Sequence, residues 1–230
     1  MEVKLLTYTP EPEKVVAAAA RLCYSPKTAA QVMEDFAAAD VNQFISKLVG
    51  MGHFSPFEHV SFTFAIDGVS RALSHQLVRH RIGASFSQKS QRYVKAEDPG
   101  QIVKPCSVAS NAAANQIFDQ AIEQAYAAYA QLLQLDIAAE DARYLLPNAT
   151  VTNLVVTMNA RSLLHFFELR CCQRAQWEIR DMANRMLALV KEVAPNIFSS
   201  AGATCNTQGF CYEGKMSCGK VPAEKILSRS

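Results

Sequence analysis

The chain has 230 residues, half of them hydrophobic, enough for one large domain or one domain with a small appendage. Its 23 Lys and Arg nearly balance 21 Asp and Glu, leaving a formal charge of +2, which excludes a general nucleic-acid or membrane-surface binder. No apolar run approaches the ~20 residues of a membrane span, Met1-Glu2-Val3-Lys4 does not open a signal peptide, and the seven cysteines form an odd count, so reduced thiols in a cytoplasm are expected.

In chain order, Val3–Tyr8 reads as a strand, and Pro10 and Pro12 lead into an alanine-rich helix over Glu13–Leu22 with Arg21 at its end. Helices are expected at Ala29–Ala39 and Val41–Val49, the second stopped by Gly50 and Gly52. Val60, Phe62, Phe64 and Ile66 alternate with Ser61, Thr63 and Ala65, the period of a half-buried strand. Asp67-Gly68 is expected to turn the chain into a helix over Val69–His80, on which Gln76 and His80 share a face. A basic loop follows, and Arg92-Tyr93-Val94 could begin another strand. Ser110–Leu135 reads as a long helix with a stripe of Ile117, Ala121, Ala125, Ala128 and Leu132, and Ala138–Leu145 as a short one. Thr150–Met158 reads as a strand, and Asn159 can cap a helix over Ala160–Arg170. A last helix runs from Gln173 to Val193 and ends at Pro195. The fold class is α+β, a small mixed or antiparallel sheet flanked by long helices. Residues 1–198 form the main domain and 199–230 a tail rich in Cys and Gly.

Three clusters carry chemistry. The run from Arg79 to Tyr93 packs arginines, a lysine and a histidine among Ser85, Ser87, Gln88, Ser90 and Gln91. Guanidinium forks suit phosphates and electron-rich carbonyls, so this reads as a site for a phosphorylated, ring-bearing ligand. Lys89 alone reads as a solvated charge. His53 to His59 is a polar loop with Glu58 between its histidines; these lack the i, i+4 spacing of a zinc helix, and no metal is expected. In the third cluster Arg161 and His165 lie on one helical face, while Arg170, nine residues beyond Arg161, lies on roughly the opposite one. His165 could equally be a core histidine, and Arg143 either a phosphate clamp or a surface arginine. Trp177 reads as a packing anchor. Neither a dinucleotide-binding glycine motif nor a P-loop is present. Cys171 and Cys172 end a helix, where the dipole discourages a thiolate. The three tail thiols, Cys205, Cys211 and Cys218, lack the tight pair usual for zinc.

Arg79-His80-Arg81 followed by Ser90-Gln91-Arg92-Tyr93 resembles the signature of the flavin-dependent thymidylate synthases. Arg21-Leu22-Cys23-Tyr24, His53 to His59, Arg143 with Leu146-Pro147, Asn159-Ala160-Arg161-Ser162, Leu169-Arg170 and Ala175-Gln176-Trp177-Glu178-Ile179 continue the likeness in family order over residues 20–195. The resemblance implies a homotetramer with active sites shared between subunits, FAD as cofactor, and dUMP, methylenetetrahydrofolate and NADPH as substrates, giving dTMP. It places Cys23, His53, Ser55, Glu58, Arg79, His80, Arg81, Ile82, Asn159, Arg161 and His165 at FAD. It places Gln76, Gln88, Ser90, Gln91, Arg92, Arg143 and Arg170 at dUMP, with Arg170 and His53 as the catalytic pair. Two departures stand out: the Arg81–Ser90 interval is one residue longer than usual, through Ile82-Gly83-Ala84-Ser85, and Gln88 and His165 stand where some relatives carry Glu and Asn. The alternative reading is an RNA- or phosphate-binding module built on Arg79–Arg92, weakened by the near-neutral charge and the lack of an aromatic stacking series.

Overall fold

The computed structural model describes residues 1–35, 38–96 and 98–227, and their side chains except at 38–40. In chain order the elements are β1 (Glu2–Tyr8), α1 (Pro12–Leu22), α2 (Ala29–Asp35), α3 (Ala38–Gly50), a 3-10 turn at Ser55–His59, β2 (Ser61–Ser70), α4 (Arg71–Leu77) and β3 (Ala84–Gln88). Then come α5 (Cys106–Ala109), α6 (Ala112–Gln134), α7 (Ala139–Ala142), a 3-10 turn at Arg143–Leu145, β4 (Val151–Asn159), α8 (Ala160–Arg170), α9 (Trp177–Val193) and, in the tail, α10 (Thr204–Thr207). The expected Ala29–Ala39 helix is present as α2 to Asp35 and helix resumes at Ala38; the part of the expectation at Phe36 and Ala37 lies outside the described residues.

The four strands form one sheet in the order β1-β2-β4-β3. Its pairs are antiparallel: Thr9 N–H donates to the Ser61 carbonyl, Asn159 N–H to Gly83 and Lys89 N–H to Asn153. The chain groups into two compact units, one drawn from Met1–Glu2, Ile66–Val78 and Ser87–Leu154, the other from Val3–Ala65, Arg79–Phe86 and Val155–Ser230. In the second, Phe62, Phe166, Phe167 and Phe198 are fully buried, with Phe198 edge-on to both Phe62 and Phe167 at 5.3 and 6.0 Å. Each such ring contributes roughly 3 kcal/mol or more by leaving water and filling space.

Several expectations fail for physical reasons. Asp67-Gly68 does not turn the chain; β2 continues to Ser70. Ala160 N–H meets the Val60 carbonyl, but Arg71 N–H meets Thr150, a slip of one residue along the β2–β4 pairing. The inward alternation breaks at Asp67 and Gly68, and Gly68 has φ +73. That is a bulge, which a left-handed glycine permits inside a strand. The next helix therefore starts late, with the Ser70 hydroxyl accepting from Leu73 N–H at 3.0 Å, and it stops at Leu77. Gln76 and His80 share no helix face, and Arg79-His80-Arg81 follows α4 without capping it.

The basic run is not all loop, for β3 occupies Ala84–Gln88 in its middle. Its inward residues, Ala84, Phe86 and Gln88, offer too little apolar contrast for a period-two reading. Arg92-Tyr93-Val94 is a turn, Val94 N–H closing on the Ser90 carbonyl. On α6 the buried face carries Ile122, Tyr126 and Tyr129, while Ile117 is 68% exposed. The tyrosines won the face because their hydroxyls find partners there, Thr150 for Tyr126 and Ala96 N–H for Tyr129. The helix predicted from Gln173 begins at Trp177 behind a Gln176 cap, and Trp177 is exposed while Glu178 and Ile179 are buried. Among the described residues no helix is long and apolar enough to cross a membrane.

Candidate active site

In the second unit, the junction of β4 and α8 organises the site. Asn159 caps α8, its side-chain oxygen accepting from Ser162 N–H at 2.8 Å, and its own N–H donates to the Gly83 carbonyl. The Ser162 hydroxyl donates to the Ile82 carbonyl at 2.7 Å. Gly83 has φ +61, and a Cβ there would run into the Asn159 amide and the Ser162 hydroxyl. The extra residue in the Arg81–Ser90 interval is thus absorbed where only glycine fits. This lock holds Arg79, Arg81 and Ile82 outward, Ile82 at 90% exposure.

His80 turns the other way. Its ring meets the buried Phe166 edge-on at 5.0 Å, and Arg170 Nε–H donates to its Nε2 at 2.9 Å. Burial first, then the charges of Arg170 and His165, push the His80 pKa down to about 4. A neutral imidazole accepting at Nε2 is the form this geometry requires. Burial and the neighbouring Arg79 likewise lower the Arg170 pKa. The result is a concentration of positive charge around a neutral ring, a setting that favours an anionic or electron-rich ligand.

Arg161, at the start of α8, reaches a different partner, Glu58 of the Ser55–His59 turn, at 2.5 Å. Arg161 and Arg170 therefore do serve different surroundings. His165 is no core histidine: its side chain is 62% exposed and faces Glu168 at 3.6 Å. Cys23, His53 and Ser55 are exposed; His53 is tied by its backbone, its N–H donating to the Leu48 carbonyl.

The first unit holds the other expected residues. Gln88 donates both amide hydrogens inward, to the hydroxyls of Ser74 at 3.0 Å and Thr152 at 3.1 Å. Ser90 and Gln91 line a cavity of about 190 Å³ with Lys89, Lys95, Tyr126 and Thr152. Lys89 is thus a wall of that cavity as well as a solvated charge. Arg92 pairs with Glu140 at 2.8 Å in an exposed bridge, and Arg143 Nε–H donates to the Glu140 carbonyl at 3.0 Å. Gln76 is half-buried.

Arg71, Ser74 and Thr152 were missed from the sequence. Arg71 donates to the Lys89 carbonyl at 3.5 Å, and burial and then Arg143 lower its pKa. A signal existed: a cation directly after a serine cap sits at the positive end of the helix dipole, where nothing local favours it. A cavity of about 730 Å³ beside Arg21, Tyr24, Lys27, Asp35 and Lys47 includes none of the expected ligand residues.

With this geometry in place, comparison with known proteins is specific. The family described as Thymidylate synthase complementing protein matches residues 4–196. A flavin-dependent thymidylate synthase of Geobacter sulfurreducens is 53% identical over all of this chain and 98% of its own length, and one of Clostridium tetani is 50% identical over 99% and 96%. Among solved structures, the UMP/dUMP methylase PolB from Streptomyces cacaoi bound with 5-Br dUMP superposes with a TM-score of 0.72 at 27% identity, covering 86% of this chain and 93% of that one. The flavin-dependent thymidylate synthase ThyX from Helicobacter pylori complexed with FAD and dUMP gives 0.70 at 26%, covering 88% and 100%. The signature residues, their arrangement and these likenesses agree, and the chain belongs to the flavin-dependent thymidylate synthase family.

Proposed function

We propose that the protein converts dUMP to dTMP, taking one carbon from methylenetetrahydrofolate and reducing equivalents from NADPH by way of FAD. The balance is dUMP, methylenetetrahydrofolate, NADPH and a proton giving dTMP, tetrahydrofolate and NADP⁺. The observation that carries this reading is the neutral His80 held on Arg170 beside Arg79, within the segment that bears the family signature.

The residues present suit a flavin nucleotide. Arg79, Arg81 and Arg161 supply cations for its diphosphate, and Ser55, Glu58, His80, Ile82, Asn159 and His165 a mixed polar and apolar wall. Cys23 and His53 lie at exposed positions available to the ring. When bound, FAD supplies the reducing equivalents that turn the folate's methylene into a methyl group. For dUMP, Arg92 and Arg143 suit the phosphate, and Ser90, Gln91 and Gln76 suit the sugar and base. Gln88 has spent its amide hydrogens on Ser74 and Thr152, which leaves its carbonyl oxygen as an acceptor for the uracil N–H. That is what a glutamate in its place would offer. Arg170 stabilises negative charge developing on the base, and His53 orients the folate against the flavin.

We place catalysis in residues 1–198 and give 199–230 no direct part in it, in keeping with the family match ending at 196. A cytoplasmic homotetramer with shared sites suits the exposed Ile117 face of α6, which one chain leaves uncovered. The test is direct. Purified protein should show flavin absorbance and form dTMP from dUMP only when both NADPH and methylenetetrahydrofolate are present. A colourless protein that forms no dTMP on adding FAD, yet retards RNA, would replace this reading with the phosphate-binding module.

A further inference from the structure

The tail gathers thiols that the sequence keeps apart. Cys205 on α10, Cys211 and Cys218 line one small cavity together with Cys172, two residues past the end of α8, with Arg174 and Lys220 beside them. Cys171 faces a different cavity, near Leu187 and Lys191, so the fourth thiol is Cys172. All seven cysteines are unbridged.

Other features fit a bound cation. Arg174 N–H donates to Cys172 Sγ at 3.5 Å, the kind of bond that steadies a metal-bound thiolate. Arg174 and Lys220 line the same cavity as Glu213, so the surrounding side chains offset part of the excess negative charge of four thiolates on a dication. Cys211 is pinned in a parallel bridge, accepting from Leu227 N–H at 2.7 Å and donating to the Lys225 carbonyl at 2.9 Å. Gly219, at φ +77, turns the chain directly after Cys218. The segment has little apolar core of its own, since Phe210 and Met216 are 42% and 56% exposed. A loop-rich piece of this kind ordinarily depends on a cross-link or a metal.

We propose that Cys172, Cys205, Cys211 and Cys218 bind one zinc-class divalent cation as four thiolates and so fasten the tail to the end of α8. Among the described residues no three His, Cys, Asp or Glu side chains stand close enough together to hold an ion, so the site forms only as the thiols move inward. The thiols ring the cavity, and binding draws them to about 2.3 Å from the metal. Each thiol gives its proton to solvent, so the ion and four S–H groups yield a tetrathiolate complex and four protons. Intervals of five and six residues between the tail cysteines look wrong for zinc by sequence. The site closes instead through a residue from the main domain. It also bears on the α8 site residues: the Thr204 hydroxyl donates to Glu168 at 3.3 Å, and Glu168 faces His165.

Untagged protein purified in zinc-supplemented buffer should carry about one zinc per chain by elemental analysis. Cys205→Ser and Cys218→Ser should each lower retention through a chelating column by more than about tenfold, while Cys106→Ser should keep it. Cobalt exchanged into the intact protein should give an intense sulfur-to-metal charge-transfer band, which identifies thiolate ligands even if a variant fails to fold. Metal-free protein with all thiols open to a disulfide reagent would overturn the proposal. So would zinc that survives both substitutions, or a mass short of two hydrogens per cysteine pair, which is a disulfide.

Discussion

Replacing Arg170 with Ala separates the catalytic role of this guanidinium from a structural one. The substitution deletes the N–H···N bond to His80 at 2.9 Å, worth about 1 kcal/mol net, together with the other polar contacts of the guanidinium. It also relieves the repulsion from Arg79, and His80 is only half-buried, so water can replace the lost donor. Stability should change by only about 1–2 kcal/mol, and the flavin contacts proposed for Arg79, Arg81 and Arg161 stay intact. The catalytic loss is larger, because a charged hydrogen bond to a developing anion is worth roughly 3 kcal/mol, or about a hundredfold in rate. Steady-state dTMP formation should fall by about that factor, with flavin absorbance per chain unchanged and Tm nearly so. The His80 pKa, followed by NMR, should rise from about 4 yet stay below 6.5, because burial, its largest cause, remains. Turnover near the parent value would remove Arg170 from the chemistry, and loss of flavin would reassign it to cofactor binding.

Gly83→Ala forces a side chain into the left-handed region and against Asn159 and Ser162, so it should destabilise the protein by about 1–3 kcal/mol and weaken flavin binding, read from Tm and from flavin retained on gel filtration. Arg81→Ala removes an exposed cation and should release flavin while shifting stability by under about 0.5 kcal/mol; aggregation with flavin retained would make Arg81 structural. His80 titrates near 6.5 when unfolded but at about 4 when folded, so between those values the unfolded chain takes up a proton the folded one refuses. Its contribution to stability is fully present above pH 6.5 and is lost as the pH falls towards 4; Tm should drop over that window more steeply in the parent than in His80→Asn.

The sequence by itself determined most elements that announce themselves by period or cap. β1, α1, β4 and α8 could be read from alternation, from alanine runs and from Asn159, because local propensity and burial point the same way there. The ligand chemistry was legible as well, since three arginines and a histidine among hydroxyls have no use in a core. The tertiary structure decided what depends on partners distant in the chain. Gly68 could have turned the strand or bulged it, and only the pairing with β4 selected the bulge. The extra residue before Ala84 became intelligible once Gly83 was seen against Asn159 and Ser162. Ile117 and Tyr126, nine residues apart, lie on roughly opposite faces of α6, and the buried face is the one whose hydroxyl finds a partner, Thr150. His80 and Arg170, ninety residues apart, meet only because the β4–α8 lock holds the basic run against the helix. Cys172 likewise shares a cavity with three tail thiols that lie more than thirty residues further along the chain. Periodicity and caps are encoded over a few residues, but the pairing of side chains across the fold is settled only when the core closes.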